Sequence, residues 1–253
     1  MYLAELHGKL SSRVERMEDI LTSNVFSFFK YTSRKIFLKG YLDKLGFNIS
    51  EREASRAEFL FWPRYEENTE PDLVIIVGDY YLLIEAKYFS DFGQETSKTK
   101  AQLIREVEGG EIDAKNYGKE FVLIAITADH YFKKEKFETI PERYKSNFIW
   151  TNWQLVSSFL NYVLEANQSL KKQEREFATD LYSLLDKKNL RDFQSYNALQ
   201  NIQLSTASRS FVFLQGKKSN IPWEIYWFSK QCSVRKQNES PKRGFSFPQA
   251  KKV

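Results

Sequence analysis

The sequence predicts an α/β (α+β) fold, a mixed central sheet flanked by helices, on three observations. Apolar residues first recur at three- and four-residue spacing; between residues 57 and 84 the pattern changes to short β-branched and aromatic runs. A helical stretch then separates those runs from another strand-like one, Phe121–Thr127. A two-residue turn between strands makes an antiparallel hairpin, whereas a helix between strands implies a right-handed parallel crossover, so the sheet has to be mixed.

Leu3, Leu6, Leu10, Val14, Met17 and Leu21 share one helical face, and residues 3–30 read as helix. The expected break is at Thr22–Ser23, with Ser23 as the cap of a second stripe carrying Val25, Phe28 and Phe29. Residues 36–46 read as a short helix ending at Gly46. Ala57–Trp62, Leu73–Val77 and Tyr80–Ile84 are strand-like, the last two joined by a tight turn at Gly78–Asp79. Residues 97–108 return to helical spacing and stop at Gly109–Gly110, with a short continuation to Tyr117. The unbroken apolar run Phe121–Thr127 suits a strand buried on both faces. Phe148–Trp150 reads as a further strand and Asn152–Leu164 as an amphipathic helix. Beyond them, Lys171–Lys188 is a charged amphipathic helix, and Ser210–Leu214 and Trp223–Phe228 form a strand pair. The expected organisation is a core over 1–167, an accessory helix and hairpin over 168–229, and a basic, disordered tail over 230–253.

Composition narrows the chemistry. With 42% hydrophobic and 16% aromatic residues in 253, the chain can bury a full core. One cysteine, Cys232, and two distant histidines, His7 and His130, exclude a disulfide framework, a multi-cysteine zinc site and a Ser–His–Asp triad. Carboxylates and lysines must then carry any catalysis. No signal peptide is visible and the longest apolar runs are too short to span a bilayer, so a cytoplasmic protein without membrane contact is expected. The net charge of +5 resides in the tail, where seven basic residues from Lys230 onward face one acid, Glu239. Such a tail suits a polyanion such as nucleic acid, or serves as a solvated extension.

The informative stretch is Glu70-Pro71-Asp72 through Glu85-Ala86-Lys87. Asp72 opens one hairpin strand and Glu85 closes the other, with twelve residues between them, so pairing brings the two carboxylates together. Glu85 and Lys87 are two apart on a strand and project from one face, with Ala86 on the other. Gathering such groups behind an apolar hairpin costs stability, and hard oxygen ligands with open positions suit Mg²⁺ or Mn²⁺. The Trp150–Trp153 and Trp223–Trp227 pairs sit among apolar neighbours and read as core; His130 reads as a loop residue.

This stretch resembles the PD-(D/E)xK phosphodiesterase superfamily, with Pro71-Asp72 and Glu85-x-Lys87 as the motif, over roughly residues 1–165. The resemblance implies a restriction-endonuclease-like core and a Mg²⁺-dependent nuclease acting on nucleic acid, DNA first. It implies metal held by Asp72, Glu85 and the carbonyl of Ala86, with Lys87 orienting or deprotonating water or stabilising the phosphate. It also implies an acid from the first helix: Glu18 sits nearest the buried face, Asp19 is second, and Glu15 lies further towards solvent. A solvated acidic helix edge paired with Arg13 and Arg16 is the competing account of these acids. Some nuclease branches carry Gln-x-x-x-Tyr on the next helix; Gln102 fits the first position, Glu106 stands where tyrosine would be, and Lys98 and Lys100 lie near that helix start to meet phosphates. By analogy, restriction, phage defence or mobile-element maintenance is the expected setting, with a homodimer or a partner protein completing the small chain. Two rivals stand beside this: a non-catalytic nucleic-acid-binding or assembly module on a nuclease-like fold, and a plain scaffold in which Glu85 and Lys87 form a structural ion pair.

Overall fold

The computed structural model describes residues 2–15, 17–65, 69–88, 102–138 and 140–191. Three helices open the chain, α1 (Tyr2–Leu6), α2 (Ser12–Glu15) and α3 (Glu18–Tyr31), followed by α4 (Phe37–Lys44) and α5 (Glu51–Arg56). Three strands come next, β1 (Glu58–Phe61), β2 (Leu73–Val77) and β3 (Tyr80–Ala86), then α6 (Gln102–Asn116) and β4 (Glu120–Thr127). After two short 3₁₀ turns the described chain closes with β5 (Phe148–Asn152), α7 (Trp153–Ala166) and α8 (Lys172–Lys187).

Among the described residues the five strands lie in sequence order. Neighbours β1–β2 and β2–β3 are antiparallel, and β3–β4 and β4–β5 are parallel. The fold is thus α/β, a five-stranded mixed sheet flanked by helices. Only two residues separate β2 from β3, and Gly78 takes a φ of +55°, the left-handed value that the first position of such a turn reserves for glycine. Alternation then assigns the faces. Leu73, Ile75, Leu82 and Ile84 point into a large core shared with α3, α4, α7 and α8. Val74, Ile76, Tyr81 and Leu83 point the other way, against Leu103, Val107 and Ala114 of α6.

The N-terminal helix is broken differently from expectation. Its apolar stripe does not continue as one helix: Gly8 adopts φ +64° after α1, and the second break falls at Met17, leaving Ser23 inside α3 rather than capping it. The cause is tertiary. Lys188 forms a buried 2.5 Å ion pair with Glu5 and donates to the Glu15 carbonyl, while Lys187 donates to the Glu5 carbonyl, so α8 ties down two separate short helices. Helix α6 likewise does not stop at Gly109–Gly110. A Cβ on Gly109 would lie 2.5 Å from the Tyr65 ring and one on Gly110 2.6 Å from Leu83, so these glycines allow close approach rather than ending the helix. Helix α5, absent from the sequence reading, starts with a reciprocal Ser50–Glu53 capping box.

Ala178, Leu181, Leu184 and Leu185 of α8 join the large core, so the described part of segment 168–229 packs there directly. The strands expected at Ser210–Leu214 and Trp223–Phe228, and the tail 230–253, lie outside the described residues. Among the described residues no helix is long and apolar enough to cross a membrane.

Candidate active site

The site lies where β2 begins and β3 ends. The register Leu73↔Ile84 puts Asp72 and Glu85 next in line as cross-strand neighbours on the face covered by α6. Both are buried, at 8% and 3% exposure. The Ala86 amide donates to Asp72 Oδ2 at 2.8 Å, so the contact between these two residues runs through the N–H of Ala86. Lys87 Nζ donates to Glu85 Oε1 at 2.7 Å and to Glu18 Oε1 at 3.1 Å. Glu18, the first residue of α3, also accepts the Tyr88 amide at Oε2, 2.7 Å away. Three acids from three elements are thereby gathered about one strand end. Asp72 and Glu85 each commit one oxygen, and Glu18 both, to a backbone amide or to the lysine.

Of the first-helix candidates, Glu18 alone is brought here. Glu15 turns to Lys187, 3.0 Å away, and Asp19 is exposed. The reason is the break at Met17, which starts a new helix with Glu18 aimed at the end of β3. Trp153, read from sequence as core, is fully buried, and its indole N–H also donates to the Lys87 carbonyl at 3.1 Å. Gln102 opens α6, but its side chain lies outside the described residues, as do Lys98 and Lys100.

One further acid was read from the sequence only as the residue standing where the pattern has tyrosine. Glu106 is fully buried on α6, and its carboxylate is among the neighbours that raise the proton affinity of Glu85. The signal was present: Leu103, Glu106, Val107, Gly110 and Ala114 fall on one helical stripe, so an acid there has to face the sheet.

The electrostatics follow from this crowding. Burial, then the neighbouring Glu85 carboxylate, pushes Asp72 up to about 8, although the Ala86 amide and Lys87 oppose the rise. Burial and then Glu106 likewise push Glu85 well above the carboxylate range, against the pull of Lys87. For Lys87, burial works against the charge but Glu85, Glu18 and Asp72 outweigh it, holding the ammonium above its usual range. Glu85 Oε2 is buried with no hydrogen-bond partner. Carboxylates so placed hold protons tightly, and their oxygens are hard donors of the kind that Mg²⁺ or Mn²⁺ prefers. Among the described residues no three acidic or histidine side chains converge on one point; Lys87 stands between Glu18 and Glu85.

No family model, curated protein or solved structure matches this chain.

Proposed function

We propose that the chain is a metal-dependent nuclease of the PD-(D/E)xK type, hydrolysing phosphodiester bonds in nucleic acid, with DNA as the first substrate to test. One observation carries the reading: Asp72 and Glu85 are buried cross-strand neighbours, and Glu85 keeps an oxygen that no donor meets. Further support comes from Lys87, two residues beyond Glu85, and from Glu18 at the start of α3, both of which reach the same strand end. The order of helices, antiparallel hairpin, crossover helix and parallel strands is compatible with a restriction-endonuclease-like core.

Asp72, Glu85 and the Ala86 carbonyl would hold the ion, with Glu18 beside them. A bound divalent cation supplies Lewis-acid stabilisation of the phosphate and lowers the pKa of bound water. Lys87 remains charged at neutral pH, since three carboxylates hold its proton. It therefore donates to the attacking water or a phosphate oxygen and does not act as the base. Asp72 fixes the strand end by accepting the Ala86 amide, and Glu18 fixes the next residues by accepting that of Tyr88.

The Lys87–Glu85 contact is also what a purely structural ion pair requires. That account leaves Asp72 and Glu85 with strongly raised proton affinity and Glu85 Oε2 without a donor, a costly way to build a scaffold. The decisive experiment is cleavage of plasmid and single-stranded substrates with Mg²⁺, Mn²⁺, Ca²⁺ or EDTA. Cutting is expected with Mg²⁺ or Mn²⁺ and none with EDTA. Cutting in EDTA refutes the site assignment; binding without cutting in any metal favours a nucleic-acid-binding or assembly module. Restriction, phage defence or mobile-element maintenance, with a homodimer or partner protein, is the setting this reading suggests by analogy.

A further inference from the structure

Strand β1 ends one residue short of the candidate site. Its last pair is Phe61 with Leu73, so Trp62 stands next in line opposite Asp72, and its amide donates to the Asp72 carbonyl at 3.2 Å. Asp72 in turn lies opposite Glu85, so Trp62, Asp72 and Glu85 form a row across three neighbouring strand ends. Adjacent strands are about 4.8 Å apart, which puts the Trp62 backbone roughly 10 Å from that of Glu85.

The conformation of Trp62 is unlike that of its neighbours. Its φ is +50°, a left-handed value that a bulky residue rarely adopts and that costs energy to hold. Leu60 packs in the core under α6 and Phe61 in the opposite one, so alternation would bury Trp62 beside Leu60. Among the described residues it joins neither core. It is 37% exposed, with its ring 5.6 Å from that of Phe61. Cations stand close by: Lys30 Nζ lies 5.6 Å from the centre of the Phe61 ring, and Arg64, two residues on, has a side chain 87% exposed. Backbone outliers of this kind collect where ligands are held. An open indole with cations beside it is the equipment that grips an unpaired nucleotide, ring on base and charge on phosphate.

We propose that Trp62 stacks on an unpaired base beside the phosphate to be cut, which makes single-stranded or locally unpaired nucleic acid the substrate class of this site. The proposal rests on the nuclease reading above and adds to it the conformation of the substrate. Inside an intact duplex both faces of a base are already stacked, so only an unpaired or extruded base has a face to give the indole. Lys30 and Arg64 then serve the backbone leading away from that base.

The test measures binding of the full-length chain to a short single-stranded DNA and to a relaxed circular duplex, in EDTA, where no cutting is expected. Trp62→Leu keeps apolar bulk without a ring, and Trp62→Phe keeps a ring. Tyr117→Ala is the control, removing a ring 49% exposed just ahead of β4, at the opposite end of the sheet. Trp62→Leu should bind the single strand about 5-fold or more weakly, the low end of what one base–aromatic stack contributes. Trp62→Phe and the control should stay within about twofold of wild type, as should duplex binding by every variant, short of one stack. At saturation the oligonucleotide should also quench tryptophan emission less in Trp62→Phe than in wild type. Trp62→Leu binding like the control, or losing single strand and duplex alike, overturns the proposal. Equal quenching in wild type and Trp62→Phe overturns it whether or not Trp62→Leu folds. A chain that shows all the expected differences yet cuts nothing in Mg²⁺ or Mn²⁺ bears out the stacking contact and refutes the nuclease reading, so the two fail on separate measurements.

Discussion

Replacing Asp72 with asparagine should stabilise the cation-free protein at pH 8, the reverse of what loss of a buried hydrogen-bonded residue normally does. The asparagine would keep a side-chain oxygen for the Ala86 amide, so the 2.8 Å bond survives while the charge does not. The magnitude comes from linkage. Burial and Glu85 raise Asp72 from 3.8 to about 8. At ~1.4 kcal/mol per pH unit, holding Asp72 ionised at pH 8 therefore costs the fold at most about 6 kcal/mol. Relaxation and water entry reduce such penalties to several kcal/mol in real sites, and about 3 kcal/mol is the working figure. The sign follows from the direction of the shift. A carboxyl with raised folded-state pKa contributes stability that is full below about pH 4 and lost as pH rises through about 8.

Wild type in EDTA should therefore lose stability between about pH 4 and 8, and Asp72→Asn should lose less. At pH 8 the variant should melt about 6–12 °C higher, on the scale of 2–4 °C per kcal/mol for a chain of this size. Adding Mg²⁺ should reverse the order, because the ion stabilises only the protein with an ionised Asp72. The assay is calorimetry or far-UV melting in EDTA and in Mg²⁺ across that pH range. An Asp72→Asn protein less stable than wild type in EDTA at pH 8 would refute the reasoning, since it would mean that Asp72 is held there by favourable contacts alone.

Lys87→Met should act in the opposite direction. Glu85 and Glu18 lose their shared cation, so the EDTA-treated protein should lose about 3–5 kcal/mol at pH 8 in urea titrations, with cleavage falling at least about 100-fold in Mg²⁺. A variant that folds as well as wild type and still cuts would remove Lys87 from the mechanism. Gly109→Ala drives a methyl into the Tyr65 ring at 2.5 Å, an overpacking cost of about 1–3 kcal/mol against a helix-propensity gain of about 1 kcal/mol. Net destabilisation in urea is expected, and a stabilised variant would contradict the close approach of α6 to Tyr65. Truncation after Lys230 removes six of the seven basic tail residues. The slope of log K against log [salt] on duplex DNA should become shallower by about 0.9 per lost phosphate contact. An unchanged slope would make the tail a solubilising extension.

The hairpin and its acids were legible because covalent spacing leaves them little freedom. A two-residue turn sets the register, the register pairs Asp72 with Glu85, and the two-residue period places Lys87 on the side of Glu85. Glu18 was legible for a weaker reason, its place beside an apolar stripe. The breaks at Gly8 and Met17 were not, because the stripe itself runs through them. What divides that helix is a pair of lysines more than 170 residues away in sequence, reaching Glu5 and the Glu15 carbonyl. Gly109–Gly110 was misread because the same letter serves a helix stop and a close helix–sheet approach, and only the facing Tyr65 and Leu83 tell them apart. Glu106, one turn from Gln102, was legible as lying on a face that could point at the site, but only as the residue standing where the pattern has tyrosine.

The backbone at the end of β3 is tied on every side. Ala86 N–H meets Asp72 at 2.8 Å, Lys87 N–H meets the Ile126 carbonyl at 2.7 Å, the Lys87 carbonyl accepts from Trp153 at 3.1 Å, and Tyr88 N–H meets Glu18 at 2.7 Å. At residues 86–88 the freedom left is thus chiefly in the side-chain torsions of Lys87 and its acidic partners. Rotamer exchange is fast compared with the microsecond-to-millisecond opening of loops or domains. Entry of an ion should accordingly be timed by the shedding of its own hydration water and by the lysine's swing, with the amides of 86–88 remaining protected from hydrogen exchange throughout. Two of the carboxylates that set this rigidity, Asp72 and Glu18, also belong to the candidate site, so stiffness at this point and the proposed chemistry would be carried by the same atoms.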